Sequence, residues 1–494
     1  MGFQFSFVVS VAFDRIFMTV DIKERAHLSP SSLQKLKFST SICFSFRIGK
    51  VSISDCRTTL ISYMKLGSST EEKDMDSQHK IKWTLYISLA SMFIFVSVTE
   101  VGPFSSMKRL YSSYETDTHH KYVIVFDGGS TGTRIHVFTF VNNSSSGRLA
   151  LENEYFEEVK PGLSNYANKP QNAANSVLHL LDKAKAVVPP NSWVETPVAL
   201  RATAGLRLLP SALSESILDA ISKAFQSSPF LTDEESVAVL DGEDEGLYAW
   251  YTLNFLLGKL NEASHSALSL DLGGGSTQVT FTPVELDTFI RSPKEYIVLR
   301  RIQNKTMPVY THSYLGLGLM SARLAMLHLS SDNSGSLKKD ETKFKSSCIH
   351  PHVKHSWKHD MKEYIIKGRK DEKYGFKECY DKAVQFLGDN VDKPEEFRRR
   401  EIYALSYYFD RSRDLGIIDQ ETGRITVGDF MKACKRECSE KKVKEPFLCL
   451  DCSYISALLH HGLGLHERKE IQLAKRIDGI ETSWGLGAAF NMLR

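Results

Sequence analysis

Two short stretches carry aspartate, glycine and hydroxyl residues in the same order. Asp127-Gly-Gly-Ser-Thr-Gly-Thr133 and Asp271-Leu-Gly-Gly-Gly-Ser-Thr-Gln278 begin 144 residues apart. Glycine-rich turns expose consecutive backbone N–H groups, which bind phosphate oxygens with no side chain in the way. Gly129, Gly132 and Gly273, Gly274 and Gly275 supply such turns, and Ser130, Thr131, Ser276 and Thr277 add hydroxyl donors. Asp127 and Asp271 each close an apolar run, so both carboxylates would meet where the runs end. A pair of that kind suits a divalent cation, held directly or through its waters, that bridges phosphate oxygens. One such stretch alone is more often a plain turn; two, each flanked by apolar runs, argue for a phosphate site. Hydrolysis of a phosphoanhydride also needs something to orient or deprotonate water. Asp241, Glu243, Asp244 and Glu245 crowd one strand–helix junction. Three of the four need be no more than an acidic helix N-terminus that favours the helix dipole.

The elements that must position these groups alternate in type. Tyr122–Phe126 has strand length and Ile135–Phe140 reads as a returning strand, which makes Gly128–Gly132 a tight hairpin loop. Pro197–Leu200 leads into Arg201-Ala-Thr-Ala-Gly-Leu-Arg207, and Ser211–Phe225 has helical spacing after a Pro–Ser start. Val237–Leu240 precedes the acidic junction and a helix over Leu247–Leu257. Ala267–Leu272 is a strand and Val279–Phe281 begins the next. The repeated strand–loop–strand device predicts an α/β protein of two homologous lobes facing each other across a cleft.

The whole chain, 494 residues, is 42% hydrophobic and 24% charged, with 62 Lys+Arg against 59 Asp+Glu. This is a globular composition, and its formal charge of +3 is not that of a dedicated nucleic-acid binder. Residues 1–74 are rich in Ser, Phe and Ile and show no sustained period. Trp83–Val98 is an uncharged, mostly apolar run of a length between a secretory h-region and a spanning helix; a core helix is the bland reading. Lys80 and Lys82 precede it, which puts the chain after residue 100 in a lumen or outside the cell. Met75 would begin a compact n-region. Residues 1–74 then read as an alternative or misassigned leader, or as a disordered cytosolic tail. Only this one apolar segment is evident, and no apolar tail precedes Arg494. Cys348, Cys379, Cys434, Cys438, Cys449 and Cys452 all follow it. Six cysteines allow 15 disulfide connectivities; a zinc ribbon from the last four is the less favoured reading. Asn142, Asn143 and Asn304 head glycosylation sequons.

Five ordered segments resemble the nucleoside triphosphate diphosphohydrolases, or apyrases: Asp127–Arg134, Ala202–Arg207, Asp244–Trp250 (running on to Asn254), Asp271–Gln278 and Glu481–Gly487. Together they cover about residues 121–494. Lys160–Ser164, Tyr310–Gly316 and Ala404–Tyr408 are similar to the lumenal ER/Golgi diphosphatase branch, as is the single N-terminal apolar segment. That resemblance implies release of the terminal phosphate of nucleoside diphosphates, UDP and GDP foremost, to give NMP and phosphate. It implies an actin/sugar-kinase fold of two ribonuclease-H-like lobes: 121–240 with a C-terminal helix from about 465 to 494, and 241–464. Residues 1–80 would be leader or tail, 81–100 a signal peptide or type II anchor, and 101–120 a linker. Glu245 maps onto the family's catalytic base, Ser276 and Gln278 onto groups that orient water, and Thr203 and Ala204 onto the same site. Asp127 and Asp271 would hold the waters of Ca²⁺ or Mg²⁺, while Ser130, Thr131 and Gly132 grip the terminal phosphate. Tyr407 would stack on the base, unless it is a core aromatic. Family pairing implies Cys348–Cys379 and Cys438–Cys449. Cys434–Cys452 would be an additional pair, because the family gives no partner for either. Gly128 replaces a usual Ala, and Gly132 stands where cell-surface members place a His, which argues for diphosphates. The leader has no counterpart in the family. Exopolyphosphatases and sugar kinases share the fold but not the second and fifth segments. A nucleotide-gated chaperone or an inactive binding protein is the reading from another class; the complete set Glu245, Ser276, Gln278 and Thr203 speaks against an inactive one.

Overall fold

The computed structural model describes the backbone of 3–13, 16–28, 35–48 and 51–65, and residues 120–494 apart from 144–147, 261, 303–304, 332–340, 442, 444 and 494. In the N-terminal unit, β1 (Phe3–Phe13), β2 (Ile16–Leu28), β3 (Lys35–Ile48) and β4 (Val51–Lys65) form an antiparallel meander. A leader or a disordered tail is the expectation over residues 1–74. The sequence in fact alternates with period 2, as in Phe3/Phe5/Phe7 against Gln4/Ser6 and Phe38/Ile42/Phe44 against Ser39/Ser41/Ser45, which is the pattern of strands. The apolar run 83–98 and the linker up to 119 lie outside the described residues. Among the described residues no helix is long and apolar enough to cross a membrane.

The second unit contains two sheets built alike. In the first, β5 (His120–Gly128), β6 (Thr133–Asn143), β7 (Arg148–Val159), β8 (Val198–Ala202) and β9 (Val237–Val239) lie in the order β7-β6-β5-β8-β9. The first three pair antiparallel, and β5-β8-β9 pair parallel. The second sheet uses β10 (Leu268–Leu272), β11 (Ser276–Phe281), β12 (Ile297–Ile302) and β13 (Lys305–Leu315). A flanking three-stranded sheet, β14 (Lys343–Ser346), β15 (Lys354–His359) and β16 (Lys362–Gly368), interrupts the chain order. Then β17 (Ile402–Ser406), β18 (Thr422–Thr426) and β19 (Glu470–Ala474) complete the second sheet as β12-β13-β11-β10-β17-β19-β18. Without edge strands β12 and β18, its order and strand directions repeat those of the first sheet. The 144-residue spacing is thus the spacing of β5 and β10, the central strand of each lobe.

Strand alternation sorts the cores. Ile124 and Phe126 of β5 face one cluster, under the helices Pro170–Val187 and Ser211–Gln226. Val123 and Val125 face another, with Ala249, Trp484 and Leu486. Two boundaries differ from expectation. β19 belongs to the second sheet, so the chain returns to the first lobe after Ala474, not at 465. The hairpin β20 (Arg476–Ile477) and β21 (Ile480–Glu481) then leads to the C-terminal helix Gly485–Met492. The helix expected from Leu247 begins at Gly242, because Asp241 caps it by accepting a bond from the Glu243 N–H at 2.8 Å. This helix joins the lobes: Ala249 packs with Val123 and Val125, while Trp250 packs with Val309 and donates to the Ala267 carbonyl at 3.0 Å. The cysteines pair Cys348–Cys379, Cys434–Cys452 and Cys438–Cys449, so no thiolate remains among them for zinc.

Candidate active site

The ends of β5 and β10 open into one cleft of about 570 Å³. The loop after β5 is held by close contacts that only glycine permits. A Cβ at Gly162 would lie 2.3 Å from the Gly129 carbonyl oxygen, and one at Gly205 would lie 2.8 Å from Ser130 Cα. A Cβ at Gly274 would stand 2.2 Å from Ser130 Oγ, so the two loops meet face to face. Gly129, Ser130, Thr131, Gly273, Gly274 and Gly275 all line the cleft, as do Thr203 and Ala204. Gly132 packs against Glu158, itself a cleft residue, whose Oε1 lies 2.5 Å from where its Cβ would be.

Asp127 and Asp271 both line the cleft and are 7% exposed. Asp127 Oδ2 accepts from Arg134 at 2.8 Å, and Arg134 also reaches Glu158 at 2.9 Å. The Oδ1 atom of each aspartate is buried with no hydrogen-bond partner. Two orphaned carboxylate oxygens in a phosphate-loop cleft are donors that fit a hard divalent cation or its waters. Burial pushes the Asp271 carboxyl up to about 6, with a Ser406 hydrogen bond opposing and Asp127 adding to the shift. Ser406 holds this position from a left-handed backbone, φ 55°, at the end of β17.

Glu245 sits in the first turn of its helix at 7% exposure. Arg207 joins it to Ser276. The guanidinium donates to Glu245 Oε2 at 2.8 Å, to Ser276 Oγ at 3.1 Å and to the Leu240 carbonyl at 2.7 Å. Burial pushes the Glu245 carboxyl up to about 7 against the pull of Arg207, and Asp271 and Asp127 push the same way. Gln278 is buried beside Ser276, and its Oε1 has no hydrogen-bond partner. Its amide donates to Ser276 Oγ at 2.8 Å and to Ser313 Oγ at 3.0 Å. Asp244 points elsewhere, 3.8 Å from Arg300. Tyr407 lines the cleft, half-buried, beneath the Arg411 guanidinium; its neighbour Tyr408 is the core aromatic.

Arg134 and Arg207 each close one of the motifs, and only the fold shows what they hold: Asp127 and Glu245. Ser406 carries no signal in the sequence, because its conformation is a property of the folded backbone. Lys160, Arg413, Lys475 and Trp484 also line the cleft, brought there from four separate segments.

A model of the GDA1/CD39 (nucleoside phosphatase) family matches residues 113–494. The chain belongs to this family. Among relatives within it, ectonucleoside triphosphate diphosphohydrolase 5 of Gallus gallus is 43% identical over 378 residues, covering 76% of this chain and 87% of its own length. Nucleoside diphosphate phosphatase ENTPD5 of Homo sapiens is 42% identical over 381 residues, with 76% and 87% covered. Human ectonucleoside triphosphate diphosphohydrolase 6 is 39% identical over 422 residues, with 84% and 86% covered. A crystal structure of nucleoside triphosphate hydrolases from Neospora caninum superposes with a TM-score of 0.54 at 16% identity, over 79% of this chain and 96% of that one. It supports the two-lobed fold.

Proposed function

We propose that the chain hydrolyses the terminal phosphate of nucleoside diphosphates, with Glu245 as the general base. The observation that carries this is a buried carboxylate fixed by Arg207 beside Ser276, at the junction of two facing phosphate loops. The name of the human relative, a nucleoside diphosphate phosphatase, supports the substrate class. The Gly-rich loops at 129–131 and 273–275 hold the terminal phosphate on backbone N–H groups and the Ser130 and Thr131 hydroxyls. Ser276, kept in place by Gln278, orients the attacking water with Thr203. Glu245, ionised and desolvated, takes the proton as the water attacks. Asp127 and Asp271 would hold Ca²⁺ or Mg²⁺ through its waters; when bound, the cation neutralises charge on the phosphate oxygens. Tyr407 lies on the cleft wall where a base can stack. UDP and GDP are the proposed substrates, by family resemblance. The three disulfides support an oxidising compartment, hence the secretory pathway.

The test is phosphate release from a panel of nucleoside di- and triphosphates in Ca²⁺, Mg²⁺ or EDTA. The proposal expects cation-dependent release from UDP and GDP. Equal rates in EDTA, or ATP turned over much faster than UDP and GDP, would overturn it.

A further inference from the structure

The flanking sheet β14-β16-β15 buries one face through Phe344, Tyr364, Ile366 and Trp357. Its other face is set with lysines. Cross-strand register places Lys345, Lys367 and Lys354 side by side in one row, with strands about 4.8 Å apart. Lys343 and Lys358 lie on the same face, two residues along β14 and four along β15. All five are exposed; Lys358 stands opposite Glu363, and Arg369, helped by Lys345, holds the Asp371 carboxyl down. Glu363 is the acid on this face, and its carboxylate accepts from Ser356 at 2.5 Å. Like charges directly opposite one another destabilise a sheet. Lysines on edge strands guard against strand pairing, which accounts for those on β14 and β15. It does not account for Lys367, which sits on the central strand.

We propose that this face is a docking surface for a sulfated polysaccharide, a chain carrying many separate anionic groups. Lysine ammonium groups are compact point charges on flexible stems, suited to scattered sulfates rather than to one planar anion. Cys348, two residues beyond β14, is disulfide-bonded to Cys379, and disulfides persist in oxidising compartments. Nucleic acid is not the polyanion available there, and the anionic membrane leaflet is the cytoplasmic one. A membrane site would also require protruding apolar residues, and this face offers only Ile365, half-buried.

The full chain, expressed through a secretory route, is tested on immobilised heparin and by titration with heparin and desulfated heparin. The variant K345E/K354E/K367E should elute at clearly lower salt than wild type. The slope of log K against log salt should fall by about three, one per lysine removed from contact. The neutral variant K345Q/K354Q/K367Q should behave in the same direction, with a Tm at or above that of wild type, since the like-charge row is relieved. K169E/K183E/K223E, exposed lysines of the first lobe, matches the charge change and should elute like wild type. Co-elution of the sheet variants with wild type, equal loss in the control, undiminished affinity for desulfated heparin, or tighter binding to phosphatidylserine vesicles than to heparin would each overturn the proposal.

Discussion

Burial gives the Glu245 carboxyl a value near 7, so its base form grows as pH rises through neutrality and vanishes below. kcat/KM for UDP should therefore climb with pH along an acid limb near 7. Arg207 opposes the rise, so Arg207→Gln should move that limb to higher pH. A pH–rate profile with an unmoved limb would exclude Glu245 as the titrating base. Glu245→Gln should lower kcat by at least about a hundredfold, since general-base assistance is worth about 10²–10⁴. Cation-dependent nucleotide binding should survive, because both loops and both aspartates are untouched. Asp244→Asn is the control: its carboxylate faces Arg300 outside the cleft. It should cost about 0.3–1 kcal/mol of stability and little rate. Loss of turnover in Asp244→Asn, with Glu245→Gln near normal, would reverse the assignment.

The loops owe their shape to neighbouring elements rather than to their own glycines alone. Gly318, just before the helix Leu319–Ser331, leaves room for the second loop; a Cβ there would lie 2.3 Å from Ser276 N and 2.5 Å from Gly275 C. Backbone must shift to admit it, so Gly318→Ala should cost about 1–3 kcal/mol. Because the shift falls on the phosphate loop, kcat/KM should drop as well; a melt and a kinetic assay on one preparation separate the two effects. The disulfide Cys348–Cys379 closes a separation of 31 residues and in the chain-entropy model contributes about 3–4 kcal/mol. Denaturant unfolding of Cys348→Ala/Cys379→Ala should show that loss, and a negligible one would mean the reduced chain keeps much of its structure.

Across the whole second unit, the last residues complete the first lobe. Leu486 is fully buried among Val123, Val125 and Phe138 from strands more than 300 positions earlier. The Gly487 N–H donates to Thr252 Oγ1 at 2.9 Å, which ties the C-terminal helix to the helix that carries Glu245. Leu486→Ala should destabilise by about 2–5 kcal/mol. Its Tm should fall in step with activity, since Glu245 hangs on the same packing; a fall in stability with no change in activity at low temperature would uncouple the two.

The two Asp–Gly–hydroxyl segments, their flanking strands and the acidic junction could be read directly, since each is a local pattern of residue types. The repeat foretold two like lobes because one supersecondary device carries one sheet order. Which acid to propose as the base was legible only through resemblance: Asp241, Glu243, Asp244 and Glu245 are equivalent as composition. The helix phase separates them, leaving Glu245 buried with Arg207, Asp241 as a cap and Asp244 on the far side. Nothing local assigned β19 to the second sheet, set Gly132 against Glu158, or joined the Gln278 amide to both Ser276 and Ser313. Those outcomes depend on strand register and on partners hundreds of residues distant, which a linear pattern does not carry. The row Lys345–Lys367–Lys354 is of the same kind: three lysines scattered along 23 residues become neighbours only when β16 enters between β14 and β15.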